Sequence, residues 1–158
     1  MILLILQSLD NMQIKIISHR ANLYGPDSGR ENYLKSIKEC ISLGFDVEID
    51  LRTKGKNLYL GHDDLQEKVS LDFLIENNKK LWIHCKDFET LNFMIDKKLH
   101  YFWHQKDDYT LTSKKIIWTY PNKLVDKKSI IVCLNKKQHM KYVNSNCLGI
   151  CTDWCYLQ

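Results

Sequence analysis

Four short stretches of this sequence carry residue types that do chemistry. His19 and Arg20 close an apolar run in IISHR, and Glu48 and Asp50 stand two apart in FDVEIDL. His62 lies in GHDD, and His84 and Lys86 end LWIHCK. Histidine changes charge near neutral pH, so it can pass protons. Carboxylates at i and i+2 of a strand share one face, and a guanidinium or ammonium beside them can hold an anion. Each residue also has a plain reading: a strand-end histidine is usually a satisfied polar group, and two acids on one face can be a solvated edge. The grouping argues against coincidence, because two carboxylates on one strand face lie between two histidine-bearing loops.

The elements that position these residues follow from periodicity. IKIIS (14–18) is short, β-branched and apolar, as a strand covered on both faces reads. Ser28 with Glu31 has the form of a capping box, and Leu34, Ile37 and Ile41 then recur at helical spacing up to Gly44. FDVEIDL (45–51) is a second strand, NLYLG (57–61) a short extra one and LWIHC (81–85) a third. SLDFLI predicts a short helix, and Phe88, Leu91 and Ile95 mark another after Asp87. This alternation predicts a parallel sheet with right-handed crossovers, whose working face lies at the carboxyl ends of its strands. His19, Arg20, Glu48, Asp50, His84, Lys86 and His104 fall at those ends.

The second half changes character. YFWH (101–104), IIWTY (116–120), SIIVCL (129–134) and LGICT (148–152) read as strands, while QKDDYTLTSKK and PNKLVDKK between them cannot bury a helix face. At 158 residues and 44% hydrophobic, the chain suits one domain, residues 1–158. Residues 1–11, ahead of Met12, read as an extension or a misassigned start. The net charge of +4 comes from scattered lysines, without the basic, aromatic-interleaved surface of a nucleic-acid binder. MILLIL is too short to span a bilayer and has neither a basic flank nor a cleavage site. Cys40, Cys85, Cys133, Cys147, Cys151 and Cys155 mostly sit in apolar runs, which predicts reduced core thiols and a cytoplasmic protein. The four-residue spacing of Cys147, Cys151 and Cys155 is a weak zinc pattern.

HR, EN twelve residues on, EID and GHD, in this order and spacing, resemble the glycerophosphodiester phosphodiesterase family of phospholipase-C-like enzymes. The clear likeness covers residues 14–63; IHCK at 83–86 and GICTDW at 149–154 resemble later family motifs. The resemblance implies a TIM barrel, here a compact, truncated one with helices mainly around the N-terminal half, since the full form takes about 250 residues. It implies that His19 and His62 are the catalytic acid and base, and that Glu48 and Asp50 hold a divalent metal, Mg²⁺ or Ca²⁺. Lys86, with Arg20, would face the phosphate; Glu31 would be a metal-proximal acid, if it does not simply complete its capping box.

Two histidines suit in-line attack on a phosphodiester, one removing a proton from the nucleophile and one protonating the leaving alkoxide. Hard oxygen ligands hold the metal against a nonbridging oxygen. The chain departs from the pattern at two positions: His84 replaces a third metal-binding Glu, tilting the site toward Mn²⁺ or Zn²⁺, and Ala21 replaces a Gly. Trp103, His104, Trp118 and Tyr120 are candidate pocket walls, or plain core aromatics. The expected substrate is a small phosphodiester, attacked by water or by its own hydroxyl. The competing expectation is a catalytically silent domain that keeps the anion pocket.

Overall fold

The structure, a computed structural model, describes residues 14–157. The reading of residues 1–11 as an extension lies outside the described residues. The element order is β1 (Lys15–His19), α1 (Leu34–Ser42), β2 (Asp46–Lys54), β3 (Asn57–Leu60), β4 (Glu67–Val69), α2 (Leu71–Glu76), β5 (Leu81–Cys85), α3 (Phe88–Met94), β6 (Tyr101–Trp103), β7 (Tyr109–Leu111), β8 (Ile117–Thr119), β9 (Ser129–Cys133), α4 (Lys136–Tyr142) and β10 (Gly149–Thr152).

The strands form one mixed ten-stranded sheet curved into a half-barrel, and this overturns the expected truncated TIM barrel. Strands β6, β5, β2, β1, β10, β9 and β8 run parallel in that spatial order. The β3–β4 hairpin adds antiparallel to the far end of β2, and β7 adds antiparallel to β8. Among the described residues no ladder joins β6 to β7 or β8. Isolated bonds cross there instead: Ser113 N donates to Tyr101 O (2.8 Å) and Thr110 Oγ1 to Trp103 O (2.8 Å).

The physical reason lies in residues 104–128, which carry no apolar helical stripe. Their connections run as turns and the short β7, so no helix covers that side. Among the described residues, three of the four helices lie within residues 30–98. The fourth, α4, was not legible in KKQHMKY because only His139 and Tyr142 of it are buried. The expected capping box does not form either: Tyr33 occupies the N-cap of α1 without a side-chain bond, and Leu34 N donates instead to Glu67 Oε2 of β4 (2.6 Å). Ser70, Asp87 and Asn135 cap α2, α3 and α4 through their side-chain oxygens.

Strand alternation sorts the side chains between the two faces of the curve. On the convex face Val47, Ile49 and Leu51 of β2 and Leu81, Ile83 and Cys85 of β5 join Ile37, Cys40, Leu74 and Met94 from the helices. Ile131, Cys133 and Ile150 pack with Tyr142 of α4. The concave face holds a smaller cluster of Ile17, Trp82, Phe102, Trp118, Ile130 and Cys151. Glu48, Asp50 and His84 share that face, above it. Gly149 lets β10 lie against β1, since a Cβ there would meet Lys15 O at 2.5 Å. All six cysteines are free and buried.

His100, just ahead of β6, tests this packing. Its ring lies 4.1 Å from that of Trp82, and Nε2 is 2.9 Å from Thr112 Oγ1. Burial, aided by Lys114, pushes its pKa down from 6.5 to about 4. Below pH 6.5 the unfolded chain therefore binds the extra proton, and stability falls as the pH drops toward 4. Between about pH 7 and pH 5 the wild type should lose about 2 kcal/mol more unfolding free energy than His100→Gln, measured by urea unfolding. Equal losses would show that His100 protonates freely in the folded chain.

Candidate functional site

At the carboxyl ends of the parallel strands the concave face opens into a cleft of about 430 Å³. His19, Arg20, Glu48, His62, His84 and Lys86 line its polar side; His104, Trp118 and Tyr120 are among those on the other. A larger cleft, about 580 Å³, lies at the opposite strand ends, but there Lys15 and Lys80 pair with Asp46 (2.8 and 3.3 Å).

Asp50 is the most buried of the polar set, with no exposure. Its Oδ2 accepts from Asn32 Nδ2 (2.9 Å) and lies 3.1 Å from Arg20 Nε, and its backbone N donates to Asn32 Oδ1 (2.9 Å). Its Oδ1 lies 3.2 Å from His84 Nδ1 and 3.6 Å from Lys86 Nζ, yet receives no well-aligned hydrogen bond. Burial opposes its charge, but His84, Arg20 and Lys86 together hold its pKa well below the usual carboxylate range.

Glu48, one pleat down the same face, lies 3.6 Å from His84 Nδ1. His84 Nε2 donates to the carbonyl of His104 (2.9 Å), and the ring stacks on Phe102 at 5.0 Å. The carbonyl fixes which ring nitrogen faces the carboxylates. Although burial opposes it, Asp50 and Glu48 raise the His84 pKa to about 9.

The ligand atoms of Glu48, Asp50 and His84 lie within 4.8 Å of one another, so this buried group can hold a metal ion. The fit is chemical as well as spatial. Asp50 Oδ1 lacks a hydrogen bond, and an imidazole whose other N–H is anchored to a carbonyl is the usual form of a metal-binding histidine. An entering cation must displace the Nδ1 proton, so binding strengthens as pH rises.

Glu31 falls outside this group. Its carboxylate is 3.4 Å from Arg20 Nη1 and accepts from Asn22 Nδ2 (3.0 Å). Arg20 and Asn32 both adopt left-handed backbone, φ 52° and 57°, and so does Ala21 at 70°. That turn aims Arg20 N at Glu48 O (3.0 Å) while its guanidinium reaches Asp50. Left-handed backbone favours glycine, so Ala21 is held there by its surroundings.

The two histidines are oriented alike. His19 Nδ1 donates to Asp153 Oδ1 (2.9 Å), which also accepts from Asn22 Nδ2 (2.8 Å). Burial opposes protonation of His19, but Asp153 and Glu48 raise its pKa overall. His62 Nδ1 donates to Asp63 Oδ1 (2.8 Å). Arg52 fixes the His62 backbone by donating to the carbonyls of Gly61 (3.0 Å) and His62. Gly61, at φ 144°, is needed there because a Cβ would strike Asp64 O at 2.0 Å. Each histidine thus commits Nδ1 and keeps Nε2 for the cleft.

Among the aromatic candidates, Trp118 is 3% exposed and stacks on Phe102 at 4.4 Å, so it is both core and cleft floor. Trp103 touches the cleft but packs against the convex cluster. His104 donates to Asp107 Oδ2 (2.7 Å), and Tyr120 stands at the wall, 43% exposed. Asp153, Asn22, Asn32 and Arg52 are supporting residues that sequence reasoning missed. Asn32 and Asp153 stood within the EN and GICTDW stretches, but no spacing rule pairs residue 153 with residue 19. The cysteines at 147, 151 and 155 join no metal-holding group among the described residues. No helix among the described residues is long and apolar enough to cross a membrane.

Comparison of the chain with protein-family models, curated proteins and solved structures found no match.

The ligand assignment is checked by titrating Mn²⁺ into variants by calorimetry. Asp50→Asn and Glu48→Gln should weaken binding by more than the ~10- to 100-fold typical of losing a group that only orients a ligand. Glu31→Gln should stay within that range. A larger loss for Glu31→Gln than for Asp50→Asn would move the metal to the Arg20–Glu31 side.

Proposed function

We propose that the cleft cleaves a small phosphodiester, related to glycerophosphodiesters, with a divalent metal and two histidines. The observation that carries the reading is that the His19–Asp153 pair, His62 and the Glu48–Asp50–His84 group all line or underlie one cleft. The order of these residues along the chain, which resembles that of glycerophosphodiester phosphodiesterases, supports the same reading.

Glu48, Asp50 and His84 would hold the metal, which supplies positive charge to a phosphate oxygen when bound. Mg²⁺ and Ca²⁺ suit the two carboxylates; the imidazole shifts preference toward Mn²⁺ or Zn²⁺. His19, held by Asp153, takes or gives a proton at Nε2, and His62, held by Asp63, does the complementary transfer. Lys86 adds a fixed cation to the same end. Arg20 has Nε on Asp50 and Nη1 near Glu31, so its main work is holding those carboxylates in place. The nucleophile is water, or a neighbouring hydroxyl of the substrate with release of a cyclic phosphate. The free thiols suit a reducing compartment, and we place the activity in the cytoplasm.

One observation favours the competing reading of a silent phosphate-binding domain: His84 and Lys86 already neutralise the carboxylates without a metal. Assay against a panel of phosphodiesters, with monoester and cyclic products resolved by ³¹P NMR, separates the two. Metal-dependent cleavage is expected, with kcat falling by ~10²- to 10⁴-fold in His19→Ala and in His62→Ala. Phosphate binding without turnover of any diester would establish the silent domain instead.

His84→Glu should shift the activating metal toward Mg²⁺ or Ca²⁺ and away from Mn²⁺ or Zn²⁺. Unchanged relative activation across these ions would take His84 out of the metal set and leave His19 and His62 in place.

A further inference from the structure

We propose that the site sorts the two alcohols of its diester into unlike compartments, the larger of which takes a flat, aromatic alcohol. The inference rests on the reading of the cleft as a phosphodiester site and names the substrate class for it.

Two cavities meet at Arg20 and His62: the cleft of about 430 Å³ and a second of about 320 Å³. His19, Glu48, His84 and Lys86 all belong to the first, so the phosphorus sits there. A diester then has two arms to place. What remains of the first cavity comes half from the ends of β5 and β6, with Trp103, His104 and Gln105, and half from β8, β9 and the residues that follow them. Alternation turns Trp118 and Tyr120, and Val132 and Leu134, to the same concave side. Trp118 is sealed against Phe102 as a floor. Tyr120 and Leu134 are 43% and 49% exposed, so apolar surface is left uncovered at the mouth. The His104 ring lies 5.9 Å from that of Tyr120, which leaves a tilted aromatic corner. Apart from Glu48 on the floor, the lining of this cavity carries no carboxylate. Such a wall gains from a flat ring laid against it and has little to offer a chain of hydroxyls.

The second cavity is the more acidic of the two, with Leu65, 40% exposed, as its one aliphatic wall. Ser28, Glu31, Asp63 and Asp64 contribute acceptors, and Arg20, its one lysine or arginine, is already paired with Asp50 and Glu31. Gln66 spends its amide on the carbonyl of Glu31 (2.6 Å). These walls accept hydrogen bonds and repel anions, so the arm that passes His62 is rich in hydroxyl donors.

The test compares phenyl phosphate with methyl phosphate by calorimetry, magnesium present, on the whole chain. The two ligands share the phosphate and differ in the ring. Phenyl phosphate should bind about ten-fold tighter to the wild type or more, and Tyr120→Phe should keep that preference. Tyr120→Ala should lose most of it while methyl phosphate binds as before, which also reports that the variant is folded. Leu134→Ser, at the other exposed wall position, should lower the preference independently. Equal affinities in the wild type, or a preference that survives both Tyr120→Ala and Leu134→Ser, overturns the sorting. Failure of both phosphates to bind the wild type overturns the phosphodiester reading itself and the sorting with it.

Discussion

The carboxylate of Asp50 is almost wholly buried, and the local structure around it is arranged to keep it ionised. A buried charge costs several kcal/mol unless it is paired and hydrogen-bonded. The compensation comes from four places: Asn32 and Arg20 from the loop after β1, His84 at the end of β5, and Lys86 just beyond. Bringing the loop residues there requires left-handed backbone at Arg20, Ala21 and Asn32, at roughly 1–3 kcal/mol for each such residue. The loop is held in this strained form by Asp50 together with Glu31, Glu48 and its own backbone bonds, and the same turn brings Asn22 to Asp153 and so helps fix His19. Removing the Asp50 charge would loosen the anion-facing side of the cleft as well as its metal group.

The half-barrel divides the site by origin. Strands β1, β2 and β5, backed by α1 to α3, supply the polar groups other than His62, which follows β3, and their convex side is an apolar layer. Strands β8 and β9 supply the aromatic and aliphatic wall, with only α4 behind that half. Rigid backing under the polar groups matters because proton transfer and metal binding depend on positions held within about 0.5 Å. The apolar wall tolerates looser support.

Much of the polar half was legible in the sequence. The strands carrying His19, Glu48, Asp50 and His84 follow from short β-branched runs, and the period of two puts both carboxylates on one face. The overall closure was not legible, because the alternation of strands and helices in residues 14–98 is shared by full barrels and by partial ones. What decides is residues 104–128, where the missing helical stripe marks helices that never form. The small β4 and β7 escaped because EKV and YTL lack the apolar runs that mark the equally short β6 and β8, and α4 because its lysines hide a two-residue buried face. The partners of the catalytic candidates were legible only in part. Asp63 adjoins His62, whereas Asp153 meets His19 across 134 residues through the β1–β10 pairing. Glu31 shows the converse: the family resemblance implied a metal-proximal acid, with a capping role as the alternative, and the fold gives it to Arg20 and Asn22.

The central claim is that a cation and a phosphate share this cleft. Crystals soaked with Mn²⁺ and inorganic phosphate, measured at the manganese absorption edge, test it most directly. The account predicts an anomalous peak among Glu48, Asp50 and His84, with phosphate density between it and the Nε2 atoms of His19 and His62. Manganese elsewhere, or phosphate bound with His84 still bridging Glu48 and Asp50 and no metal beside it, would contradict the account.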